Sequence, residues 1–287
     1  MDAHRYGRGM PLPHDPEYTS RVYDVYGERE WDRHDASWAA RASFEIHRRF
    51  LEEFVRPGDY VLDAGSGPGR FTIELAAIGA RVHVGDISPR QLELNAERVA
   101  AAGCEGAVVG RTRLDICDLS DFASSSFDAV VCFGGPLSYV MDHADGALGE
   151  QCRVTRAGGH VMVSVMSSVG TVRRFLPVVV EEGREFGAAR NDEILDTGDL
   201  PRDTNNGHEC HMYRWTELST LLERHGVIVG ASAANFLTAQ HEDVLDAVSA
   251  AEREQVLRWE YELCREPGAL DGGTHIVAVV EVPSPPV

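Results

Sequence analysis

Glycines at alternate positions, Gly65, Gly67 and Gly69 in VLDAGSGPGRF (61–71), form a turn almost bare of side chains. Acids surround it in the sequence: Asp63 just before it, Asp86 about 20 residues on, and Asp115 in LDICDL. A bare turn between a strand and a helix brings free backbone N–H groups close to a ligand. A carboxylate at the end of the next strand can accept from both hydroxyls of a ribose. The chemistry indicated is the binding of a nucleoside-bearing cofactor. A nicotinamide fingerprint would put a small residue where Arg70 stands, and Pro68 lies inside the turn. A proline and a large cation argue against a pyrophosphate crossing here.

The flanking patterns must hold these residues in place. YVLDA, RVHVGD, AVVGRTRLD, FDAVVCF and HVMVSVM read as strands, with helical patterns at Arg70–Ile78, Pro89–Ala102 and Asp142–Arg156 between them. Ser88 and Pro89 supply an N-cap and a first-position proline. Such alternation predicts an α/β fold, a mostly parallel doubly wound sheet with helices on both faces. Further on, HECHMYRW, VIVGASAANF and THIVAVVEV read as strands, with helices expected over Thr216–His225 and Glu242–Cys264. An amphipathic helix is expected from Trp31 to Phe54. One domain is expected over residues 17–282, with cap segments 17–54, 167–214 and 238–270, the last two longer than ordinary connections. Residues 1–16 and 283–287, rich in proline and without periodicity, are expected to be disordered.

Composition narrows the partners. The 287 residues carry a formal net charge of −19, and all 27 basic residues are arginine. A surface this acidic repels phosphate backbones, so nucleic acid is excluded as a partner. No uncharged apolar run of ~18 residues or more is present and the N-terminus lacks an apolar signal core, so a soluble cytoplasmic protein without membrane contact is expected. The six cysteines are scattered without a C-x-x-C pair, as reduced thiols are.

Taken jointly, VLDAGSGPGRF, VHVGDISPRQLELNAER, LDICDL, FDAVVCFGGPLSYV and RVTRAGGHVMVSVM resemble, in order and spacing, the motifs of the class I S-adenosylmethionine (SAM)-dependent methyltransferases. The resemblance is specific over 59–165. It implies a seven-stranded Rossmann-like sheet with its last strand antiparallel, SAM as cofactor and S-adenosylhomocysteine as product. It also implies that Asp63, Gly65, Gly67 and Gly69 surround the methionine part, that Asp86 binds the ribose hydroxyls and that Ile87 lies against the adenine. Asp115 would accept from the adenine amino group, the Ile116 amide would face a ring nitrogen, and the Phe133 carbonyl would meet the methionine ammonium.

Methyl transfer from a sulfonium is an in-line displacement that needs alignment and dryness more than a metal, and no metal site is expected. The substrate wall must come from the cap. Tyr18, Tyr23, Tyr26 and Trp31 cluster before the core helix, in a segment that reads either as a lid or as a brace for that helix. Leu137 and Tyr139 follow the fourth strand, at the edge where such sheets bind ligands. The substrate-binding candidates are Tyr26, Trp31, Leu137, Tyr139 and His208, and the catalytic candidates are His211 and Tyr23. The expected function is N- or O-methylation of a small molecule by a monomer or homodimer. The alternatives are a SAM-fold enzyme with non-methylating chemistry and a non-catalytic SAM or nucleoside sensor.

Overall fold

A computed structural model describes residues 13–203 and 209–284. The N-terminal segment gives α1 (Pro16–Tyr26), α2 (Arg29–Asp32) and α3 (Trp38–Phe54). Then come β1 (Tyr60–Ala64), α4 (Arg70–Ile78), β2 (Arg81–Asp86), α5 (Pro89–Ala101), β3 (Val108–Arg113) and β4 (Phe127–Cys132). They are followed by α6 (Pro136–Tyr139), α7 (Ala144–Val154), β5 (Thr155–Met166), α8 (Ser168–Phe186) and α9 (Ala188–Thr197). The remainder is β6 (Asp199–Leu200), β7 (Cys210–His211), α10 (Trp215–Glu223), β8 (Val227–Ala233), α11 (Glu242–Ala247), α12 (Ala250–Leu263) and β9 (His275–Glu281).

Seven strands form one sheet in the order β3-β2-β1-β4-β5-β9-β8. The pairs among β1 to β5 are parallel, and β9 runs antiparallel to both of its neighbours. This is the expected sheet, including its antiparallel last strand. Parallel strands must be buried on both faces, and the central ones are: β1 and β4 are apolar almost throughout. One apolar cluster covers each face. On one, Leu137, Leu148, Leu218 and Leu222 pack on Leu62, Val130 and Val163. On the other, Ile46, Phe50, Phe71 and Leu75 pack on Val61, Val131 and Val279.

Local signals set several boundaries. The Ser88 hydroxyl accepts from the Gln91 amide at 3.1 Å and starts α5, with Pro89 in its first turn. The expected helix from Trp31 to Phe54 is two helices, because Ser37 caps α3 by accepting from the Ala40 amide at 3.2 Å. The expected helix over 242–264 is also two. Ser249 and Glu252 form a reciprocal capping box that begins α12. HECHMYRW is not one strand: Cys210–His211 pairs with Asp199–Leu200 in a two-stranded ribbon, and Tyr213 bridges to Ser167. Residues 1–12, 204–208 and 285–287, among them much of the two terminal stretches expected to be disordered, lie outside the described residues. Residues 13–16 do not: Asp15 caps α1, accepting from the Tyr18 amide at 3.0 Å. Among the described residues no helix is long and apolar enough to cross a membrane.

Candidate active site

The C-terminal ends of β1 to β4 open on a cavity that is partly open to solvent. The glycine turn after β1 forms its floor. Gly65 has φ +80° and Gly67 φ +51°, the left-handed region that glycine enters at least cost. A Cβ on Gly65 would stand 2.3 Å from Pro136 Cγ, so that position is closed to a side chain. A Cβ on Gly67 would meet only Glu30 Cγ, at 3.5 Å. The Gly65 and Ser66 amides donate to the Gly85 carbonyl at 2.8 and 3.0 Å, which ties the turn to β2.

Asp86, the last residue of β2, is 7% exposed. Its Oδ2 accepts from the Gly67 amide and its Oδ1 from the Ser88 amide, each at 2.8 Å. Burial pushes its carboxyl up to about 6, against the pull of those two amides. Each oxygen keeps a lone pair for a further donor. Asp115 accepts from the Cys117 amide at 2.9 Å and pairs with His14 Nε2 at 2.7 Å. Burial works against its ionisation, but the hydrogen bonds from His14 and Cys117 outweigh it and lower its pKa.

The segment before the sheet lies over this floor. Ser20 donates to the Ile87 carbonyl at 3.2 Å, Ser88 donates to Asp24 at 2.6 Å, and the Gln91 amide group donates to the Tyr23 and Gly27 carbonyls at 3.0 and 3.1 Å. Tyr23 meets Tyr139 edge-on, ring centroids 5.5 Å apart. Burial raises both phenols, so each stays protonated at neutral pH.

Of the residues singled out in the sequence, the cavity wall brings together Gly65, Gly67, Asp86, Ile87, Asp115, Ile116, Phe133, Tyr23 and Tyr139. Others stand elsewhere. Asp63 is 2% exposed beneath the turn, accepts from the Thr72 hydroxyl at 2.6 Å and is pushed up by burial to about 7. Gly69 is the N-cap of α4. Leu137 is fully buried in the sheet-face core rather than at the cavity, because α6 turns it inward. Trp31 is stacked by the Arg70 and Arg98 guanidinium groups, 4.2 and 5.0 Å from its ring centroid, and lies off the cavity wall. Tyr26 lies under Arg29 at 4.6 Å, away from the wall. His208 lies outside the described residues.

His211 also lies off the cavity wall. Its Nδ1 meets Asp199 at 2.6 Å and its Nε2 meets Glu217 at 2.8 Å. Burial alone would lower its pKa, but the two carboxylates outweigh that and raise it to about 9. A ring whose two nitrogens are both engaged by carboxylates has no free lone pair for a proton, which argues against a catalytic role for this candidate as a base. The sequence reading missed His14, Thr19 and Glu30 on the wall. No local pattern marks them, since all three reach the cavity through the packing of the N-terminal segment on β2 and α5.

Residues 61–159 match the family model of a methyltransferase domain. Over 115 residues the chain is 40% identical to the demethylmenaquinone methyltransferase of Mycobacterium sp. (strain KMS), spanning 40% of this chain and 44% of that one. Over 118 residues it is 36% identical to a ubiquinone/menaquinone biosynthesis C-methyltransferase of Burkholderia orbicola (strain MC0-3), spanning 40% and 46%. The match thus covers less than half the length of these curated relatives. Among solved structures, the cyclase SpnF superposes with a TM-score of 0.61 at 16% identity, over 96% of this chain and 100% of that one. A Thermotoga maritima SAM-dependent methyltransferase, described as a possible histamine N-methyltransferase, superposes with a TM-score of 0.53 at 15% identity, over 91% and 98%. The fold is the class I Rossmann-like methyltransferase fold, and the segment 61–159 within it matches the methyltransferase-domain model.

Proposed function

We propose that the chain is a SAM-dependent methyltransferase acting on a small molecule. One observation carries this reading: a single cavity joins the glycine turn, Asp86 with Ile87, Asp115 with Ile116, and Phe133. The donor and acceptor set fits the cofactor. Gly67 leaves open the space that a Cβ would enter, Asp86 offers acceptors for a diol, and Asp115 offers one for an amino group. Bound there, SAM supplies a sulfonium methyl group for in-line displacement. The chain's own contribution is positioning and exclusion of water. Asp86 orients the ribose, Ile87 and Ile116 form apolar walls, and α1 with α2 serves as a lid. Tyr23 and Tyr139, both protonated, border the acceptor side as hydrogen-bond donors. With His211 held as an ion-paired cation, no residue of the wall is assigned as a strong base.

The residues read alone favour a nitrogen or oxygen acceptor. The curated relatives are named for quinone precursors, one of them as a C-methyltransferase, which adds carbon as an acceptor class. The likeness to a cyclase supports a second reading, a SAM-binding enzyme whose chemistry is not methylation. Calorimetry with SAM, S-adenosylhomocysteine and NAD tests the cofactor, and mass-detected turnover on amines, phenols and demethylated quinols tests the reaction. Binding of SAM with a methylated product supports the proposal. Binding without methyl transfer to any of the three classes favours the second reading, and binding of NAD in place of SAM overturns both.

A further inference from the structure

A histidine, an aspartate and a cysteine meet where the stretch just before α1 crosses the turn after β3. Among the described residues, His14, Asp115 and Cys117 bring one donor atom each within 4.8 Å of one another: an imidazole nitrogen, a carboxylate oxygen and a thiol sulfur. Two links hold the set. Asp115 Oδ1 accepts from the Cys117 amide at 2.9 Å, which fixes the carboxylate against the backbone of its own turn. Asp115 Oδ2 meets His14 Nε2 at 2.7 Å, with the His14 side chain 7% exposed and that of Asp115 24%. The stretch that carries His14 is itself tethered. The His14 amide donates to Asp142 Oδ1 at 3.2 Å, and Asp15 caps α1 and accepts from Arg202 at 2.8 Å. His14 thus reaches Asp115 from an anchored backbone across 101 residues of chain, so no spacing in the sequence announces the set.

We propose that His14, Asp115 and Cys117 form a binding site for a borderline divalent cation, with zinc the best match. Thiolate and imidazole select zinc and its neighbours over magnesium and calcium, which take oxygen ligands. Zinc bonds of about 2.0–2.3 Å place the ligand atoms of a tetrahedral site about 3.3–3.8 Å apart. Small shifts reach that geometry. His14 and Asp115 open from 2.7 Å, and a separation of at most 4.8 Å closes by about 1 Å. Charge balances as well. On binding, the Cys117 thiol proton passes to solvent, and thiolate plus carboxylate offset the two positive charges of the ion. Three protein ligands leave the fourth position to a water. An ion held here staples the N-terminal stretch to the turn after β3. It also engages the carboxylate that the SAM reading gives to the adenine amino group. On that reading metal and cofactor exclude each other, each weakening the other by the same factor; the metal site itself does not depend on it.

The test takes the full chain, freed of metal with a chelator, and titrates it with zinc ion against a competing chromophoric chelator. The wild type, His14→Ala, Cys117→Ser and the control Cys104→Ser are compared, Cys104 being the other part-exposed thiol. The expected result is one tight equivalent in the wild type and in Cys104→Ser. Loss of a direct ligand should weaken zinc at least as much as loss of an outer-shell partner does, about 10-fold or more, in His14→Ala and in Cys117→Ser. Cobalt ion then reads the ligand directly. A thiolate-to-cobalt charge-transfer band should appear in the near ultraviolet and be missing from Cys117→Ser alone among the two cysteine variants. Cys117→Ser is nearly isosteric and part-exposed, so it keeps the experiment readable if His14→Ala loosens the N-terminal stretch. If the wild type binds zinc no more tightly than these two variants, or if the band persists in Cys117→Ser, the site is wrong whatever the cofactor does. A second titration adds saturating S-adenosylhomocysteine, which should weaken zinc by about 10-fold or more, within the usual range of coupling between sites. Unchanged zinc affinity with S-adenosylhomocysteine bound would overturn the sharing of Asp115. If S-adenosylhomocysteine does not bind the metal-free protein, the cofactor reading fails, and the metal site is still decided by the zinc and cobalt titrations.

Discussion

Replacing Asp86 by alanine tests the site at its most exposed assumption. In the free protein this carboxylate is 7% exposed and accepts two backbone amides, from Gly67 and Ser88, each at 2.8 Å. Its pKa, about 6 against an ordinary 3.8, means that the ionised form is held at a cost of roughly 3 kcal/mol. Removing the carboxylate at pH 8 relieves that cost and forfeits two hydrogen bonds to a charged acceptor, about 1.5–3 kcal/mol each. The two effects largely offset, so the variant should stay folded, with unfolding free energy changed by about 3 kcal/mol at most. Cofactor binding has no such compensation. Loss of the acceptor for the ribose hydroxyls should weaken S-adenosylhomocysteine by about 1.5–3 kcal/mol, roughly 10- to 150-fold. Calorimetry at pH 8, with a thermal melt to show the variant folded, reads this directly. A pH series adds a second signature. Wild-type affinity should fall as pH drops through about 6, because protonation removes an acceptor, and Asp86→Asn should lose that limb. The stability sign is opposite. Between 3.8 and about 6 the native state holds a proton that the unfolded chain has lost, so the ligand-free wild type loses stability as pH rises through this window. A folded Asp86→Ala protein with unchanged affinity would remove this residue from the site and refute the reasoning.

Gly67→Val should abolish measurable SAM binding, because it strains a position at φ +51° and puts a branched side chain into the cavity; normal binding would make the turn purely structural. Glu260, fully buried in α12, accepts from the Phe236, Leu237 and Thr238 amides and from the Thr238 hydroxyl at 2.5 Å. Glu260→Ala orphans these donors and should cost about 3 kcal/mol or more, read as a lowered denaturant midpoint with little effect on SAM affinity. His211 is raised from 6.5 to about 9, so its contribution is fully present below pH 6.5 and is lost as pH rises through about 9. Wild-type stability should therefore fall over that range by no more than about 3 kcal/mol, less for the half-exposed Glu217, and His211→Gln should show a flatter profile in urea titrations.

The amino-acid sequence by itself determined the sheet and the edge of the cavity along its strand ends. Both are written in short contiguous stretches. The apolar runs of β1, β4 and β5 specify strands buried on two faces, and Ser88-Pro89 specifies the start of α5. A parallel sheet aligns the C-terminal ends of successive strands. Gly65, Asp86, Asp115 and Phe133, which stand at the C-terminal ends of four different strands, therefore had to converge once the strand order was set. What lies over that edge was decided by tertiary packing. His14 reaches Asp115 across 101 residues, and Ser20 reaches Ile87 across 67. Glu30 sits on a four-residue helix, with Arg33 just past its end, and this polar pattern is indistinguishable from a solvated surface turn. His211 shows the converse. Its type and neighbours invite a catalytic role, but the ribbon brings Asp199 opposite it and α10 brings Glu217, and two carboxylates at hydrogen-bond distance turn a base into a fixed cation. Periodicity reports which face of an element is apolar. It carries no information on which distant charge will be packed against a given side chain, and that charge decides the protonation state and the chemistry.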